Sequence, residues 1–308
     1  LKVLVTGGGG FIGSHIVDLL MKDGYLVTVV DNLSTGDRNW LPPSISFYNA
    51  SVDDISGMRT VFHLERPDYV IHQAAQIKVP FSVKYPQADC QTNVMGTLGI
   101  LELCREFGVR KFVYPGSAAC YGMPVRLPID ENHPIAPISP YGVSKYTAEL
   151  YTKVYNDLYG VPTTVLRYAN VYGPRQGTHG EGSAISIFIN HLIRGTVPMI
   201  EGEGTATRDY IYVSDIARAN VAALAGGAGA VLNISTNTQV SVNQLLSLLC
   251  ELRGVPVKPE HGPPRMGDIE HSVMANDLAQ QVLDWKPRVS LREGLTATME
   301  WAERRYSQ

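Results

Sequence analysis

Lys2-Val3-Leu4-Val5-Thr6-Gly7-Gly8-Gly9-Gly10-Phe11-Ile12-Gly13 opens the chain and sets its architecture. The first four residues read as a short strand buried on both faces, because the run is apolar and too short for a helix. The glycines follow at once, and an amphipathic helix runs on to about Lys22, with Gly24 placed to end it. Leu26 to Val30 is a second strand, rich in β-branched residues and closed by Asp31. Strand, glycine-rich turn, helix and strand make a βαβ unit. Glycines in that turn permit a tight bend and the close approach of a pyrophosphate, while the helix end offers free N–H groups and a positive dipole. The spacing fits both GxGxxG (Gly8, Gly10, Gly13) and GxxGxxG (Gly7, Gly10, Gly13). With a strand before it, a helix after it and an acid roughly 20 residues on, the turn is a dinucleotide-binding signature. Asp31 can accept hydrogen bonds from adenosine ribose hydroxyls and would repel a 2′-phosphate, which favours NAD over NADP. Arg38 lies close in sequence and opposes that preference.

The alternation continues outward. Ile45 to Asn49 reads as a strand, Asp54 to Leu64 as a helix, and Tyr69 to His72 as a strand entering Gln73-Ala74-Ala75, whose small residues would let a cofactor approach. A long helix is expected from about Pro86 to Phe107, a strand from Lys111 to Tyr114, a helix from Pro140 to about Tyr159 and a strand from Thr163 to Arg167. Repeated βα units imply a doubly wound parallel sheet of the Rossmann kind, with ligands beyond the carboxyl ends of its strands. Gly7, Asp31, Ala74, Ser117 and Tyr168 all fall at or just past such ends. Beyond Tyr168 the regularity drops. Loops at Tyr172–Arg175 and His179–Gly182 precede a helix from Ser183 to Arg194, and a turn is expected at Gly202–Gly204. A helix from Val242 to Leu252, a Pro-rich stretch through Pro264 and a final helix near Arg292 to Arg304 complete the chain. The expected division is a dinucleotide-binding domain over residues 1–168 and a smaller C-terminal α/β substrate domain over 169–308. Residues 209–227 are expected to return to the first.

A chain of 308 residues suits one large or two modest domains, and its 44% hydrophobic content can supply a sizeable core. A net charge of −3 gives no pull toward nucleic acid or an anionic membrane, so neither is an expected partner. Cys90, Cys104, Cys120 and Cys250 lie far apart without a CxxC, which argues against a metal site or a disulfide framework and fits a reducing cytosol. No apolar run approaches the ~20 residues that span a bilayer, and the chain opens on strand-like residues rather than a signal peptide. A cytoplasmic protein is expected.

Ser139-Pro140-Tyr141-Gly142-Val143-Ser144-Lys145 sits where a turn becomes a helix, and Pro140 suits a first helical turn. Tyr141 and Lys145 are four apart and share a helix face. A phenol ordinarily ionises near pH ~10, and a nearby ammonium lowers that value. The pair can therefore act as a general base toward an alcohol near neutral pH. With 16 tyrosines in the chain, one Tyr-x-x-x-Lys carries little weight alone; the dinucleotide signature gives it meaning.

Thr6-Gly7-x-x-Gly10-x-x-Gly13, Asp31-Asn32-Leu33-Ser34-Thr35-Gly36, Ser117, Tyr141-x-x-x-Lys145 and Arg208-Asp209-Tyr210 occur in that order. Over essentially its whole length the chain resembles the extended short-chain dehydrogenase/reductases, the NAD-dependent epimerase/dehydratase family, and among them most the UDP-glucose 4-epimerases. The resemblance implies NAD as cofactor, a UDP-sugar as substrate and a homodimer formed through the helices near Pro86–Phe107 and Pro140–Tyr159. It implies Tyr141 as base, Lys145 as its partner and a ligand of the nicotinamide ribose, and Ser117 as a hydrogen-bond partner of the reacting sugar hydroxyl. Cofactor contacts are implied for Gly7, Gly10, Phe11, Ile12, Gly13, Asp31, Asn32, Ser34, Thr35, Gly36, Ser51, Val52, Gln73, Ala74, Ala75, Asn93 and Tyr168. Substrate contacts are implied for Asn170, for Arg208 and Arg265 on the diphosphate, for Asp268 on the uridine ribose, and for Ser272 beside the sugar 2-substituent. Guanidinium forks suit a diphosphate because they pair bidentately with its oxygens. The chain departs from the family pattern at three positions: Pro115-Gly116 stands where many relatives carry Ser-Ser, and Ser51 stands where the adenine side often has Asp.

Ser117 is followed by Ala118-Ala119. Related sugar-nucleotide dehydratases and decarboxylases usually carry an acid there, because elimination needs a further acid/base group. The expected reaction is therefore epimerisation at C4 of a UDP-hexose through a transient 4-keto sugar, without elimination. The alternatives are the same chemistry on UDP-glucuronate or a UDP-N-acetylhexosamine, a net dehydrogenase that releases reduced cofactor, and a non-catalytic NAD-binding module on the same fold.

Overall fold

The computed structural model describes residues 1–177, 184–264 and 269–306. The first half alternates strand and helix: β1 (Lys2–Thr6), α1 (Phe11–Lys22), β2 (Leu26–Asp31), β3 (Ser46–Asn49), α2 (Ile55–Glu65), β4 (Tyr69–His72), α3 (Val79–Lys84), α4 (Pro86–Cys90), α5 (Thr97–Phe107), β5 (Lys111–Ser117), α6 (Pro140–Tyr159) and β6 (Thr163–Tyr168). The second half uses shorter pieces: β7 (Asn170–Tyr172), α7 (Ala184–Arg194), β8 (Met199–Glu201), β9 (Thr207–Arg208), β10 (Tyr210–Tyr212), α8 (Val213–Ala225), β11 (Val231–Ile234), β12 (Val240–Ser241), α9 (Val242–Arg253), β13 (Glu260–Gly262), α10 (Asp277–Leu283) and α11 (Leu291–Tyr306). Among the described residues, seven strands form one parallel sheet in the order β11-β6-β5-β4-β1-β2-β3. The strand order reverses between β1 and β4, and that switch point is where a ligand cleft opens in such sheets.

Both faces of the sheet are covered, which is why its strands read as continuous apolar runs. Val3, Val5, Val29, Ile71, Val113 and Leu166 point to one layer, where they pack with Ile16, Val17 and Leu20 of α1 and Ile216 and Ala219 of α8. Leu4, Val30, Val70, Phe112 and Val165 point to the other, against Met58 and Phe62 of α2, Ile100 and Leu101 of α5, and Ala148 and Tyr155 of α6. A third core joins α7, α9 and α11 through Phe188, Ile189, Leu245, Leu249, Leu295 and Met299. Among the described residues no helix is long and apolar enough to cross a membrane.

Several elements differ from the sequence reading, which does not place α3, α10, β7, β8, β9, β12 or β13. The single helix expected over residues 86–107 is interrupted by a π-helical turn, Gln91–Gly96. The fifth strand does not stop at Tyr114; it runs on through Pro115 and Gly116 to Ser117, paired with β6 throughout. Val231–Ile234, which the sequence reading leaves out, is the seventh strand of the main sheet, beside β6. The helix expected from Ser183 begins at Ala184 among the described residues, and Ser183 lies outside them.

Candidate active site

The glycine-rich turn is held from two sides. Gly7 has φ +67, and a Cβ there would stand 2.5 Å from the backbone nitrogen of Ala74, so the turn packs directly on the loop after β4. A Cβ on Gly13 would stand 2.1 Å from the Gly7 carbonyl oxygen, so only glycine lets α1 approach β1 this closely. Gly10 caps α1 without a side-chain hydrogen bond, and no acid occupies the first turn, so the positive end of the helix is not met by the chain's own charge.

Asp31 is buried, and its carboxylate is in use: Oδ2 accepts from the Gly9 N–H at 2.8 Å and Oδ1 from the Leu33 N–H at 2.8 Å. It therefore ties the glycine turn to the following loop, in which Asn32 Oδ1 accepts from the Ser34 N–H at 3.0 Å. Gly36 closes against Gly9, since a Cβ there would meet the Gly9 oxygen at 2.7 Å. Arg38, the residue set against NAD selectivity, turns away: its guanidinium donates to the carbonyls of Leu41 and Pro42 and lies 5.0 Å over the Phe47 ring. Ser51 donates to Asp53 Oδ1 at 2.5 Å.

A cleft of ≈ 430 Å³ opens over these residues. All the sequence-predicted cofactor residues line it except Gly36 and Asn93. Those two stand behind its wall, Gly36 against Gly9 and Asn93 as the acceptor of the Gln76 N–H at 2.8 Å. Tyr168 is held at the cleft by Gln73 Nε2, 3.0 Å from its hydroxyl, and by Asn220, and burial pushes its phenol well above the ordinary range. Gln76, Ile77, Lys78, Phe81, Pro115 and Gly116 also line the cleft and were missed. Gln76 and Lys78 follow directly on Gln73-Ala74-Ala75, and their place just past a strand end was the available signal.

The first turn of α6 sits against the end of β5. Ser139 caps the helix by accepting the Gly142 N–H at 3.1 Å, and Tyr141 N–H donates to the buried Ser82 Oγ at 3.0 Å. A Cβ on Gly142 would stand 2.7 Å from the Ala119 oxygen, so the helix start is pressed onto the turn that follows Ser117. Ser117 Oγ accepts from the Ala119 N–H at 3.2 Å, and Ser117 lies opposite Tyr168 in the sheet register. Tyr141 and Lys145 both line the cleft. Lys145 is buried with its ammonium 4.5 Å over the Tyr114 ring, and burial lowers its pKa to about 7 against the opposing pull of Asp89 and Glu149. Below it, His72 bridges Thr6 Oγ1 at 2.8 Å and Thr97 Oγ1 at 3.1 Å, and burial, aided by the Lys145 charge, lowers its pKa to about 3.

The expected substrate residues fall on adjoining elements. Asn170 begins β7, and its N–H donates to the Asp209 carbonyl at 3.0 Å, next to Arg208. Arg208 Nη1 donates to the carbonyls of Thr207 at 2.9 Å and Glu270 at 3.4 Å, and the Ser272 N–H donates to the Thr207 carbonyl at 3.1 Å. Asn170, Arg208 and Ser272 are thus brought together. Arg265 and Asp268 lie outside the described residues.

Sheet order, glycine turn and cleft define a doubly wound α/β protein of the Rossmann type. Within that class the chain belongs to the NAD dependent epimerase/dehydratase family, whose model matches residues 3–235. It is 38% identical to a UDP-glucose 4-epimerase of Mycolicibacterium smegmatis, with 98% of each chain covered. It is similar to the structure of a UDP-glucose 4-epimerase with UDP-glucose from Thermotoga maritima, at 44% identity and a TM-score of 0.97 over 100% of both chains. It is also similar to a UDP-N-acetylglucosamine 4-epimerase from Methanobrevibacter ruminantium in complex with UDP-N-acetylmuramic acid, at 32% identity and a TM-score of 0.95 over 99% of this chain and 98% of that one.

Proposed function

We propose that the chain is an NAD-dependent nucleotide-sugar 4-epimerase that interconverts the C4 epimers of a UDP-hexose, UDP-glucose and UDP-galactose, through a transient 4-keto sugar. The observation that carries this reading is the junction of β5 and α6. Tyr141 and Lys145 line the cleft there, close to a Ser117 that is followed by alanines rather than an acid. The residues fit the cofactor: the uncapped start of α1 suits a pyrophosphate, and the glycines leave a cradle that side chains would fill. Gly10, Phe11, Ile12 and Gly13 would hold the pyrophosphate, Asp31, Asn32, Ser34 and Thr35 the adenosine ribose, Ser51 and Val52 the adenine, and Gln73 to Ala75, Lys145 and Tyr168 the nicotinamide side, with Gly36 and Asn93 backing the cleft wall. When bound, NAD supplies the hydride acceptor for the sugar C4 and the donor that returns it. Tyr141 takes the proton from the sugar O4 and gives it back, Lys145 stabilises the phenolate, and Ser117 orients the hydroxyl. Arg208, with Arg265 and Asp268, would anchor the uridine diphosphate, leaving the sugar free to turn.

The division at residue 168 belongs to the same reading. Residues 1–168 hold the cofactor and 169–308 the UDP-sugar, with β11 and the packing of α8 on α1 tying the second part to the first. We also propose a cytoplasmic homodimer. A second substrate class, the UDP-N-acetylhexosamines, is favoured by Ser272, a small residue where the resemblance places the sugar 2-substituent.

Incubation with UDP-glucose, UDP-glucuronate and UDP-N-acetylglucosamine separately, with products resolved by NMR, tests the assignment. Epimerised UDP-glucose without net cofactor reduction is expected; net accumulation of reduced cofactor would overturn it. Tyr141→Phe is expected to fold and retain NAD but to lose about 10²-fold or more in kcat. A near-normal kcat removes the base assignment. Ser272→Tyr is expected to depress kcat/KM on UDP-N-acetylglucosamine selectively. An equal effect on both substrates, or none, counts against Ser272 as the gate.

A further inference from the structure

Asp89 has no part in the roles assigned above, yet it is 1% exposed and sits beside the Tyr141–Lys145 pair. It stands on α4, just before the chain widens into the π-helical turn. Its Oδ1 accepts from Gln76 Nε2 at 2.6 Å and from Asn93 Nδ2 at 3.1 Å. Asn93 Nδ2 also reaches the Gln76 carbonyl at 3.0 Å and Ser144 Oγ at 3.1 Å, and Ser144 Oγ donates to the Tyr141 carbonyl at 3.0 Å. A buried polar chain thus runs from the loop after β4 through the π-helical turn to the first turn of α6. Asp89 Oδ2, by contrast, is buried without a hydrogen-bond partner. Such an oxygen is costly unless its charge offsets another.

The charge to be offset is that of Lys145. Four groups face it: His72 from β4, Tyr114 from β5, Asp89 from α4 and Glu149 from its own helix, on which Tyr141 stands one turn earlier. His72 is kept neutral by burial. Glu149 is bound through both oxygens by Arg167 of β6, at 3.0 and 2.5 Å, so its charge is already met. Among the described residues, Asp89 is the acid facing Lys145 that no arginine or lysine neutralises.

We propose that Asp89 is a positioning residue whose carboxylate opposes the effect of burial on the Lys145 ammonium, favouring its charged form and with it the ionised form of Tyr141, while bracing the loop that carries Gln76 and Lys78. The inference rests on the reading of Tyr141 and Lys145 given above. Opposite charges in a water-poor interior favour each other's ionised forms, so removing one lowers the ammonium's pKa.

The test is a titration of the purified full-length chain labelled with ¹³Cε lysine, the Lys145 signal being assigned by its loss in Lys145→Met. In Asp89→Asn, which keeps an acceptor for Gln76 and Asn93, the Lys145 midpoint is expected to fall by about half a pH unit or more. The alkaline limb of kcat is expected to move to lower pH with it. An unmoved midpoint overturns the proposal, and so does a moved midpoint with an unmoved limb and normal kcat. A wild-type chain that turns over no UDP-sugar would fail the epimerase reading, while the titration would still decide whether Asp89 acts on Lys145. Where Asp89→Asn does not fold, Asp89→Ser takes its place. If neither folds, Asp89 serves the fold alone and the proposal falls.

Discussion

Lys145 shows at the scale of one residue how a site opposes the fold that carries it. Its ammonium is buried, and burial lowers its pKa to about 7 from an ordinary 10.5. The unfolded chain therefore binds a proton below 10.5 that the folded chain does not take up until near 7. Stability from this group falls as pH falls through that window, at about 1.4 kcal/mol per pH unit. At neutral pH the lysine costs up to several kcal/mol by the same arithmetic. Lys145→Met removes the charge but leaves Asp89 without its counter-ion, so the sign of the net change is set by both effects. The difference between the cofactor-free variant and wild type should be more favourable to the variant at pH 7 than near pH 10. Urea unfolding at pH 7 and pH 9.5 checks it, and equal differences at both pH values would mean that packing, not charge, separates the two proteins. The same variant should be nearly inactive. His72, held neutral down to about pH 3, works in the same sense at lower pH: its contribution is lost as pH falls below its ordinary 6.5.

At the scale of elements, the fifth strand shows what a sequence conceals. Its residues Lys111 to Tyr114 are plain strand formers, but Pro115 and Gly116 read as breakers, so the strand is expected to end before them. It does not end, because N–H groups alternate sides along a strand. Phe112 N–H donates to the Pro162 carbonyl on the β6 side, so Pro115 turns its nitrogen toward β4, whose pairing stops at Ile71 opposite Val113. The missing N–H therefore falls on the side where β4 is ending, at His72, and leaves the ladder with β6 intact. Gly116 is there for a different reason: a Cβ would stand 2.9 Å from Arg167 Cγ and 3.0 Å from Val165 Cγ1. Arg167 cannot yield easily, being held by Glu149 and, at 2.7 Å, by the Tyr121 hydroxyl. Gly116→Ser is therefore expected to destabilise the protein by ~1–3 kcal/mol. An unchanged urea midpoint would show that Arg167 moves freely. The glycine turn, Asp31 and the Tyr141–Lys145 pair were legible because each needs a particular residue type at a strand end or a helix start. Asp89 was not, since an acid in a helix reads as solvated until the fold buries it. Val231–Ile234 was not, since four residues between glycines and polar residues carry too little period to mark a strand.

At the scale of the whole molecule, one helix face is left to water that its composition does not suit. On α6, Leu150, Val154 and Leu158 recur every fourth residue and are 46%, 44% and 69% exposed, flanked by Tyr151 and Tyr159. Tyr85 and Met95, before and after α4, are also exposed. The opposite face of α6 is spent on the sheet and on α5, through Ala148, Thr152 and Tyr155. Scattered apolar residues need no explanation, but a stripe along one helix beside a second exposed group marks an interaction surface. A second copy of the chain, related by a two-fold axis, can meet this stripe with its own. Because α6 also carries Tyr141 and Lys145, such a contact would brace the helix that positions them. Val154→Glu combined with Leu158→Glu places two charges in the contact, which cannot be buried unpaired without a large penalty. In sedimentation, wild type is expected at twice 33.7 kDa and the double variant at 33.7 kDa, with the secondary structure of both alike. Turnover of the variant should fall more than its NAD content, since α6 would lose its brace while the cofactor cradle of β1, α1 and β2 lies elsewhere in the fold. A wild-type chain that sediments as a monomer, or a double variant that stays paired, would move the interface off this face.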